Sequence, residues 1–130
     1  MTTMRDLLEK GAIVDAGRSQ RAGTLSVSAP TAKSTQNLTR WTGSYKTYNL
    51  EIVLLHNQNK VEIECTCADW FKAGGALETD VDRNTRPCKH LLAFSDRCTI
   101  PPLMPVDLNS PIRVVPLGAG KKSKQAQGKA

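Results

Sequence analysis

Few aromatic and few apolar side chains occur in this sequence of 130 residues. Aromatic residues make up 5% of it and hydrophobic residues 39%, which is below the usual apolar share of a globular domain. The chain has about the length of one typical domain, so we expect one modest hydrophobic core and not two. Small cores often need a metal ion or a disulfide for stability, and we expect such a crosslink here.

The sequence also lacks long hydrophobic runs. None approaches the roughly 20 residues that cross a bilayer, and residues 1–10 contain one Leu7–Leu8 pair but no apolar stretch typical of a secretory signal. We therefore expect an intracellular protein, in the cytoplasm or in the nucleoid or nucleus, with no membrane partner. In such a reducing compartment, cysteines stay free or bind metal instead of forming disulfides.

Positive charge is concentrated at the two ends of the chain. The net charge is +6; residues 1–40 have an excess of basic side chains, and residues 119–130 contain four lysines and no acidic residue. The central residues 41–100 are close to neutral. We therefore expect the ends of the chain, and not its folded centre, to supply any attraction to a polyanion.

Two stretches of alternating apolar and polar residues lie in the predicted central domain, residues 41–98. The alternation over 48–54 and over 61–65, separated by a short polar break, predicts an antiparallel β-hairpin. Pro87 suits the first position of a helix that continues to about Arg97.

Less regular segments flank this domain. The N-terminal arm, residues 1–40, should contain a short helix over 4–10 and one short strand over 25–29. Residues 99–117 contain five prolines, which predicts an extended segment that packs along the domain, with an edge strand in its second half. Residues 118–130 have little apolar content and should form a disordered basic tail.

The cysteines and one histidine form two close pairs, Cys65-Thr66-Cys67 and Cys88-Lys89-His90. Three thiolates and one imidazole satisfy tetrahedral zinc, in which two bound sulfurs lie about 3.8 Å apart. Alternate residues of a flat strand are about 6.6 Å apart at Cα, so the strand should bend at Thr66. Alternate residues of a helix point about 200° apart, so Cys88 should lie in the turn that enters the helix and His90 in its first turn. One structural Zn²⁺ bound by Cys65, Cys67, Cys88 and His90 is therefore the predicted cofactor.

Other interpretations of the cysteines stay open. The four residues could be free thiols and an ordinary histidine without a metal, or two of the thiols could form a disulfide. Cys98 is the spare thiol; it lies eight residues beyond His90, points away along the helix, and should be a free cysteine. A zinc ion with four protein ligands has no open coordination position, so we expect neither an enzyme nor a small-molecule substrate.

Aromatic residues near the motif also have two interpretations. Trp41, Tyr45 and Tyr48 could stack on nucleic-acid bases, but cross-strand packing in the hairpin is favoured. Trp70 and Phe71 should cover the metal site and exclude water from it.

The spacing of the two pairs, CTC at 65–67 and CKH at 88–90, resembles the SWIM zinc finger, whose signature is CxC followed by CxH. Tyr48 before the first pair, Pro87 before the second and the apolar residues 91–93 after it are also similar to that family. The resemblance covers about residues 42–97 and implies a β-hairpin followed by a helix around one zinc ion. The expected fold class is thus α+β, a small zinc-stapled domain with a hairpin, a short helix and extended arms at both ends.

Two functions follow as hypotheses. The first is a module that binds nucleic acid, DNA rather than RNA, or a nucleoprotein assembly. The basic residues expected to contact phosphate are Arg18, Arg21, Lys33 and Arg40 in the N-terminal arm, Arg83, Arg86 and Lys89 beside the site, and Lys121, Lys122, Lys124 and Lys129 in the tail. The second is a protein–protein adaptor that docks its partner on a helix face formed by Leu91, Leu92 and Phe94 and on the proline-rich segment.

Overall fold

A computed structural model describes residues 2–70, 85–101, 106 and 109–117. Within these residues five strands form one sheet, and three complete helices pack against it. The helices are α1 (Met4–Gly11), α2 (Ala16–Ala22) and α3 (Lys89–Ser95). The strands are β1 (Thr31–Ser34), β2 (Leu38–Tyr45), β3 (Tyr48–Leu55), β4 (Lys60–Cys65) and β5 (Arg113–Pro116).

The strands lie in the order β1-β2-β3-β4-β5, with antiparallel pairing from β1 to β4. The β3–β4 pair is the predicted hairpin, and its turn is a short 3-10 helix, His56–Gln58, followed by Asn59 at φ 48°. Every second residue of β4 is buried, as the alternating sequence predicts. The hairpin prediction is confirmed.

Strand β2 was not predicted, and its sequence explains why. Its inward positions include Thr39, Trp41 and Gly43, of which only the tryptophan is a large apolar residue. Thr39 is fully buried because its hydroxyl lies 2.9 Å from His56 Nε2. Gly43 leaves the space that the Phe94 ring of α3 occupies. The period of a strand is therefore present in the structure but is not visible in the hydropathy of the sequence.

The predicted strand over 25–29 is wrong. Those residues form no strand, although Val27 is buried and the Ser28 N–H donates to the Ser44 carbonyl at 2.9 Å. Their alternation reflects packing against the core at one edge of the sheet. The strand that pairs with β2 is β1, which is exposed along its whole length and therefore has no hydrophobic pattern.

The predicted N-terminal helix is confirmed, but it is not part of an extended arm. Met4, Leu7 and Leu8 are fully buried in the core, and Asp6 accepts a hydrogen bond from the N–H of the N-cap residue Thr3. Gly11 is the last helical residue, and a Cβ there would collide with the Ile112 carbonyl. The glycine is thus needed for the close approach of α1 to the segment that leads into β5.

The C-terminal segment also belongs to the sheet. Strand β5 pairs parallel with β4, and Val114 and Val115 are buried, which confirms the predicted edge strand. The arms in the expected fold class are therefore wrong as a description: α1, β1 and β5 all contribute to one mixed α/β unit. The sequence boundary at residue 40 lies inside β2. Residues 118–130 lie outside the described part of the chain.

Candidate metal centre

Four side chains with metal-binding atoms meet where β4 ends and α3 begins. The sulfurs of Cys65, Cys67 and Cys88 and a ring nitrogen of His90 all lie within 4.8 Å of one another. His90 Nδ1 is 4.0 Å from Cys65 Sγ and 3.8 Å from Cys88 Sγ. In a tetrahedral zinc site, the corresponding sulfur–nitrogen separation is about 3.6 Å. The structure thus brings together the four residues that the sequence predicts as ligands, at separations slightly wider than those of a bound zinc site.

The first pair leaves the sheet in the predicted way. Strand β4 ends at Cys65, and the backbone turns at Thr66 so that the Cys67 N–H donates to Cys65 Sγ at 3.4 Å. The Trp70 N–H donates in turn to Cys67 Sγ at 3.4 Å. Two backbone donors therefore point at two of the sulfurs, an arrangement that favours thiolates.

The second pair stands at the start of α3. Cys88 is the N-cap residue with extended backbone, φ −73° and ψ 170°, and His90 is the second helical residue. This agrees with the expectation that the cysteine precedes the helix and the histidine lies in its first turn. Pro87 is not the first helical residue; it lies one position before the N-cap, so that prediction is wrong by two residues.

The site is shielded from water. Cys65 is 0% exposed, Cys67 3%, Cys88 1% and His90 5%. Trp70 is fully buried, and its indole N–H donates to Glu64 at 3.3 Å. Its role as a cover of the metal site stays a prediction. Phe71 lies outside the described residues.

Two tyrosines pack on the imidazole from the β2–β3 hairpin. The ring centroids of Tyr45 and Tyr48 lie 5.0 Å and 5.1 Å from that of His90. Both tyrosines are half-buried, so they are neither core residues nor free aromatic groups. The imidazole is thus packed between these two rings and the three sulfurs.

Crowding of the three thiols perturbs their ionisation. Hydrogen bonds from the side chains of Cys65 and Cys88 hold the pKa of Cys67 far below its ordinary value. The hydrogen bond to Cys67 is also the largest cause that raises the pKa of Cys65 to about 12. The pKa of Cys88 is raised by its hydrogen bonds to Cys65 and Cys67 and by burial. One thiolate is thus favoured, and the other two sulfurs keep their protons unless a cation binds among them.

An ion pair that the sequence did not reveal supports this site from outside. Arg18 Nε and Nη2 each lie 2.8 Å from an Asp69 carboxylate oxygen, in a bidentate pair that joins α2 to the turn after Cys67. The hydrogen bond to Asp69 raises the pKa of Arg18, and the negative charges of Asp69 and Asp15 raise it further. The partners are 51 residues apart, so no local pattern could have identified them. Helix α2 itself was missed because it has no apolar face; the available signal was its N-cap Asp15, which accepts from the Arg18 N–H at 3.0 Å.

Cys98 does not belong to the cluster. It is fully buried in the core beyond α3, where its thiol donates to the Phe94 carbonyl at 3.3 Å and burial raises its pKa to about 12. All four cysteines are free thiols. The expectation of a free cysteine at 98 is confirmed, and its environment is the core.

The basic residues predicted to contact phosphate differ in their surroundings. Arg18 is held by Asp69, and Arg40 forms an ion pair with Glu51 at 3.0 Å. Arg86, Arg21 and Lys33 are exposed, and Lys89 is half-buried. Arg83, Lys121, Lys122, Lys124 and Lys129 lie outside the described residues.

The helix face expected to dock a protein partner is not accessible. Leu91, Leu92 and Phe94 are each 0% exposed, because α3 lies over the sheet with these side chains in the core. That part of the adaptor hypothesis is wrong. Ile100 and Ile112 of the proline-rich segment are also buried.

Comparisons with known proteins add no relative. No protein-family model matches the chain, and it matches neither a curated protein nor a solved structure. Among the described residues, no helix is both long and apolar enough to cross a bilayer. The structure therefore defines a small mixed α/β protein with a buried cluster of three cysteines and one histidine that could hold one metal ion.

Proposed function

We propose that the protein is a structural zinc module of the SWIM type that binds nucleic acid or a nucleoprotein assembly. The observation that carries this proposal is the buried set of Cys65, Cys67, Cys88 and His90, whose donor atoms lie within 4.8 Å of one another. The CxC and CxH spacing of these residues resembles the SWIM signature.

Zinc fits the donor set better than a hard cation does. Three sulfurs and one imidazole nitrogen are the ligands of structural zinc sites, whereas Ca²⁺ and Mg²⁺ prefer oxygen. A divalent cation also removes the electrostatic conflict in the cluster, since all three buried sulfurs can then be thiolates. Zinc does so without redox chemistry and without a geometric preference beyond four donors.

A structural role follows from the number and burial of the donors. With four protein ligands, the ion has no position for a water molecule or a substrate. The ion would join the end of β4 to the start of α3, two elements that are far apart in the sequence. We therefore propose that the protein is not an enzyme.

Nucleic-acid binding is supported by charge. The chain has a net charge of +6, and four of its lysines lie within residues 119–130. Basic residues on flexible or exposed segments bind phosphates without sequence preference. The adaptor alternative has lost its docking face on α3, so nucleic acid is the better supported partner.

Elemental analysis of purified protein tests the metal. We expect one zinc ion per chain, lost in Cys67→Ser and in His90→Gln. Cys98→Ser is the matched control, because it changes the same kind of atom outside the cluster and should keep full zinc content. A metal-free protein with the wild-type fold would contradict the proposal, as would a stoichiometry that falls in the control.

Binding of labelled single-stranded and duplex oligonucleotides at several salt concentrations tests the partner. Electrostatic binding should weaken steeply with salt. Replacing Lys121, Lys122, Lys124 and Lys129 by glutamine in the full chain should lower the slope of log K against log salt. No measurable binding to either probe at low salt would reject the nucleic-acid function and leave the zinc module standing.

A further inference from the structure

The tip of the β2–β3 hairpin carries an unusual combination of groups. Tyr45 and Tyr48 are paired across the sheet and are joined by the two residues Lys46 and Thr47. Both tyrosines are half-buried and contact the His90 ring. Lys46 is exposed, and its Nζ lies 5.4 Å from the centre of the Tyr45 ring. One end of the sheet thus presents two aromatic rings together with a cation.

The backbone at this tip is unusual for a lysine. Lys46 has φ 54°, a left-handed conformation that favours glycine or asparagine in a two-residue hairpin loop. Among the described residues other than glycine, only Asn59 also has a positive φ. Residues in such sparsely populated conformations are often found at functional sites.

Basic residues lie on the tip and in the segment that leads to His90. Lys46, Arg86 and Lys89 form no ion pair with any described residue, while Arg18 and Arg40 are neutralised by carboxylates. Lys89 directly precedes His90, and Arg86 lies two positions before Cys88. Residues 43–50 and 85–95 contain no acidic side chain.

The opposite face of the sheet carries charges of both signs. Glu51 and Glu64 lie directly across from each other in the β3–β4 pair, and Glu62 projects from the same face. The register places Lys33, Arg40, Lys60 and Arg113 on that face as well. Arg40 and Lys60 form ion pairs with glutamates there, so the charges of this face nearly balance.

The helices offer no surface for a duplex groove. All residues of α3 from His90 to Ser95 are buried. The exposed positions of α1 are Asp6, Glu9 and Lys10, and α2 presents one exposed arginine, Arg21. Duplex recognition commonly places a basic helix face in the major groove, and the described helices have none to offer.

We infer that the hairpin tip, formed by Tyr45, Lys46 and Tyr48, is a binding site for single-stranded nucleic acid, with bases stacked on the tyrosines and phosphate bound by Lys46. Arg86 and Lys89, in the segment that leads to His90, are further candidate phosphate contacts. Aromatic side chains combined with basic groups are the usual means of binding unpaired strands. This inference rests on the proposed nucleic-acid function and adds the site and the strandedness of the ligand. The tip would recognise the base rings and phosphates that single-stranded DNA and RNA have in common.

Fluorescence anisotropy with full-length, zinc-loaded protein tests the site. The probes are labelled oligothymidine, oligouridine and a duplex of equal length. We expect both single strands to bind more tightly than the duplex. Tyr48→Leu should weaken single-strand binding by about 5- to 150-fold, the range for loss of one base–aromatic stack, with an unchanged salt slope. Tyr48→Phe keeps the ring and should bind like the wild type.

Charge is separated from stacking by a second pair of variants. Lys46→Gln should lower the salt slope by about 0.7, the value for one phosphate contact on a single strand. Lys10→Gln is the matched control, because Lys10 is also exposed but lies in the last turn of α1. Zinc content and thermal midpoint verify that each variant is folded.

The outcomes distinguish the two proposals. If the wild type binds nucleic acid but Tyr48→Leu and Lys46→Gln behave like Lys10→Gln, the tip is not the site and only this inference fails. Tighter binding of the duplex than of either single strand overturns the inference in the same way. If the wild type binds none of the probes, the nucleic-acid function itself fails.

Discussion

The free energy of unfolding should increase with the logarithm of the free zinc concentration, and the slope should be that of one bound ion. The donor atoms form one cluster, and Cys98 is buried elsewhere in the core. An ion that binds only the folded chain stabilises it by RT ln(1 + [L]/Kd). Each tenfold increase in free zinc above the dissociation constant should therefore add about 1.4 kcal/mol.

That increment converts into a measurable shift of the thermal midpoint. Unfolding entropy is about 2.1 cal/mol/K per residue, so a chain of 130 residues has about 270 cal/mol/K if all of it folds. The midpoint should then rise by about 5 °C for each tenfold increase in free zinc. Structural zinc contributes on the order of 10–16 kcal/mol in isolated fingers, which equals a whole domain's stability, so full chelation should unfold the sheet and α3 together.

Circular dichroism melts in metal buffers that fix free zinc over several decades provide the assay. Cys88→Ser should abolish the dependence, and Cys98→Ser should lower the midpoint uniformly while keeping the slope. A wild-type midpoint that does not move with free zinc, or one that is unchanged after complete chelation, would refute the reasoning.

Three further predictions concern the packing and the ionisation around the site. Gly43→Ala should destabilise the protein by about 1–3 kcal/mol through overpacking, because the new Cβ meets the buried phenylalanine ring of α3; Gly17→Ala, where a Cβ meets only flexible side chains, should be neutral or stabilising in the same denaturant titration, and equal effects would contradict this packing. Asp69→Asn breaks the bidentate pair with Arg18 and should cost about 1 kcal/mol or less, since the carboxylate is 43% exposed; a midpoint unchanged in low salt would show that the pair contributes nothing. Burial lowers the pKa of His56, so the unfolded chain takes up a proton at this residue before the folded chain does as pH falls. The contribution of His56 to stability is therefore present above about pH 6.5 and lost below it. The difference in unfolding free energy between the wild type and His56→Gln should shrink as pH falls from 7.5 to 5.5, and a constant difference would rule this out.

Local pattern was sufficient for the elements whose buried positions are apolar and for the metal cluster. The β3–β4 hairpin follows from strict alternation, and α1 from an apolar stripe after a good N-cap. The placement of Cys88 before α3 and His90 inside it follows from the angle between alternate residues of a helix. In each case the decisive interactions lie within a few residues, and the ligand chemistry of Cys and His does not depend on the rest of the fold.

Only the tertiary structure decided how the remaining chain surrounds that cluster. Strand β2 buries Thr39 and Gly43, whose places in the core depend on His56 and Phe94 and not on their own hydropathy. Helix α2 is linked to the metal cluster by an ion pair between Arg18 and a residue 51 positions away, and β5 pairs with a parallel strand that no turn connects to it. Such contacts join residues that are distant in sequence, so they produce no periodic pattern of apolar residues along the chain. For the same reason, α1, β1 and β5, which were expected to lie in extended arms, belong to the sheet and the core. The apolar face of α3, which was expected to be exposed, is buried in the core.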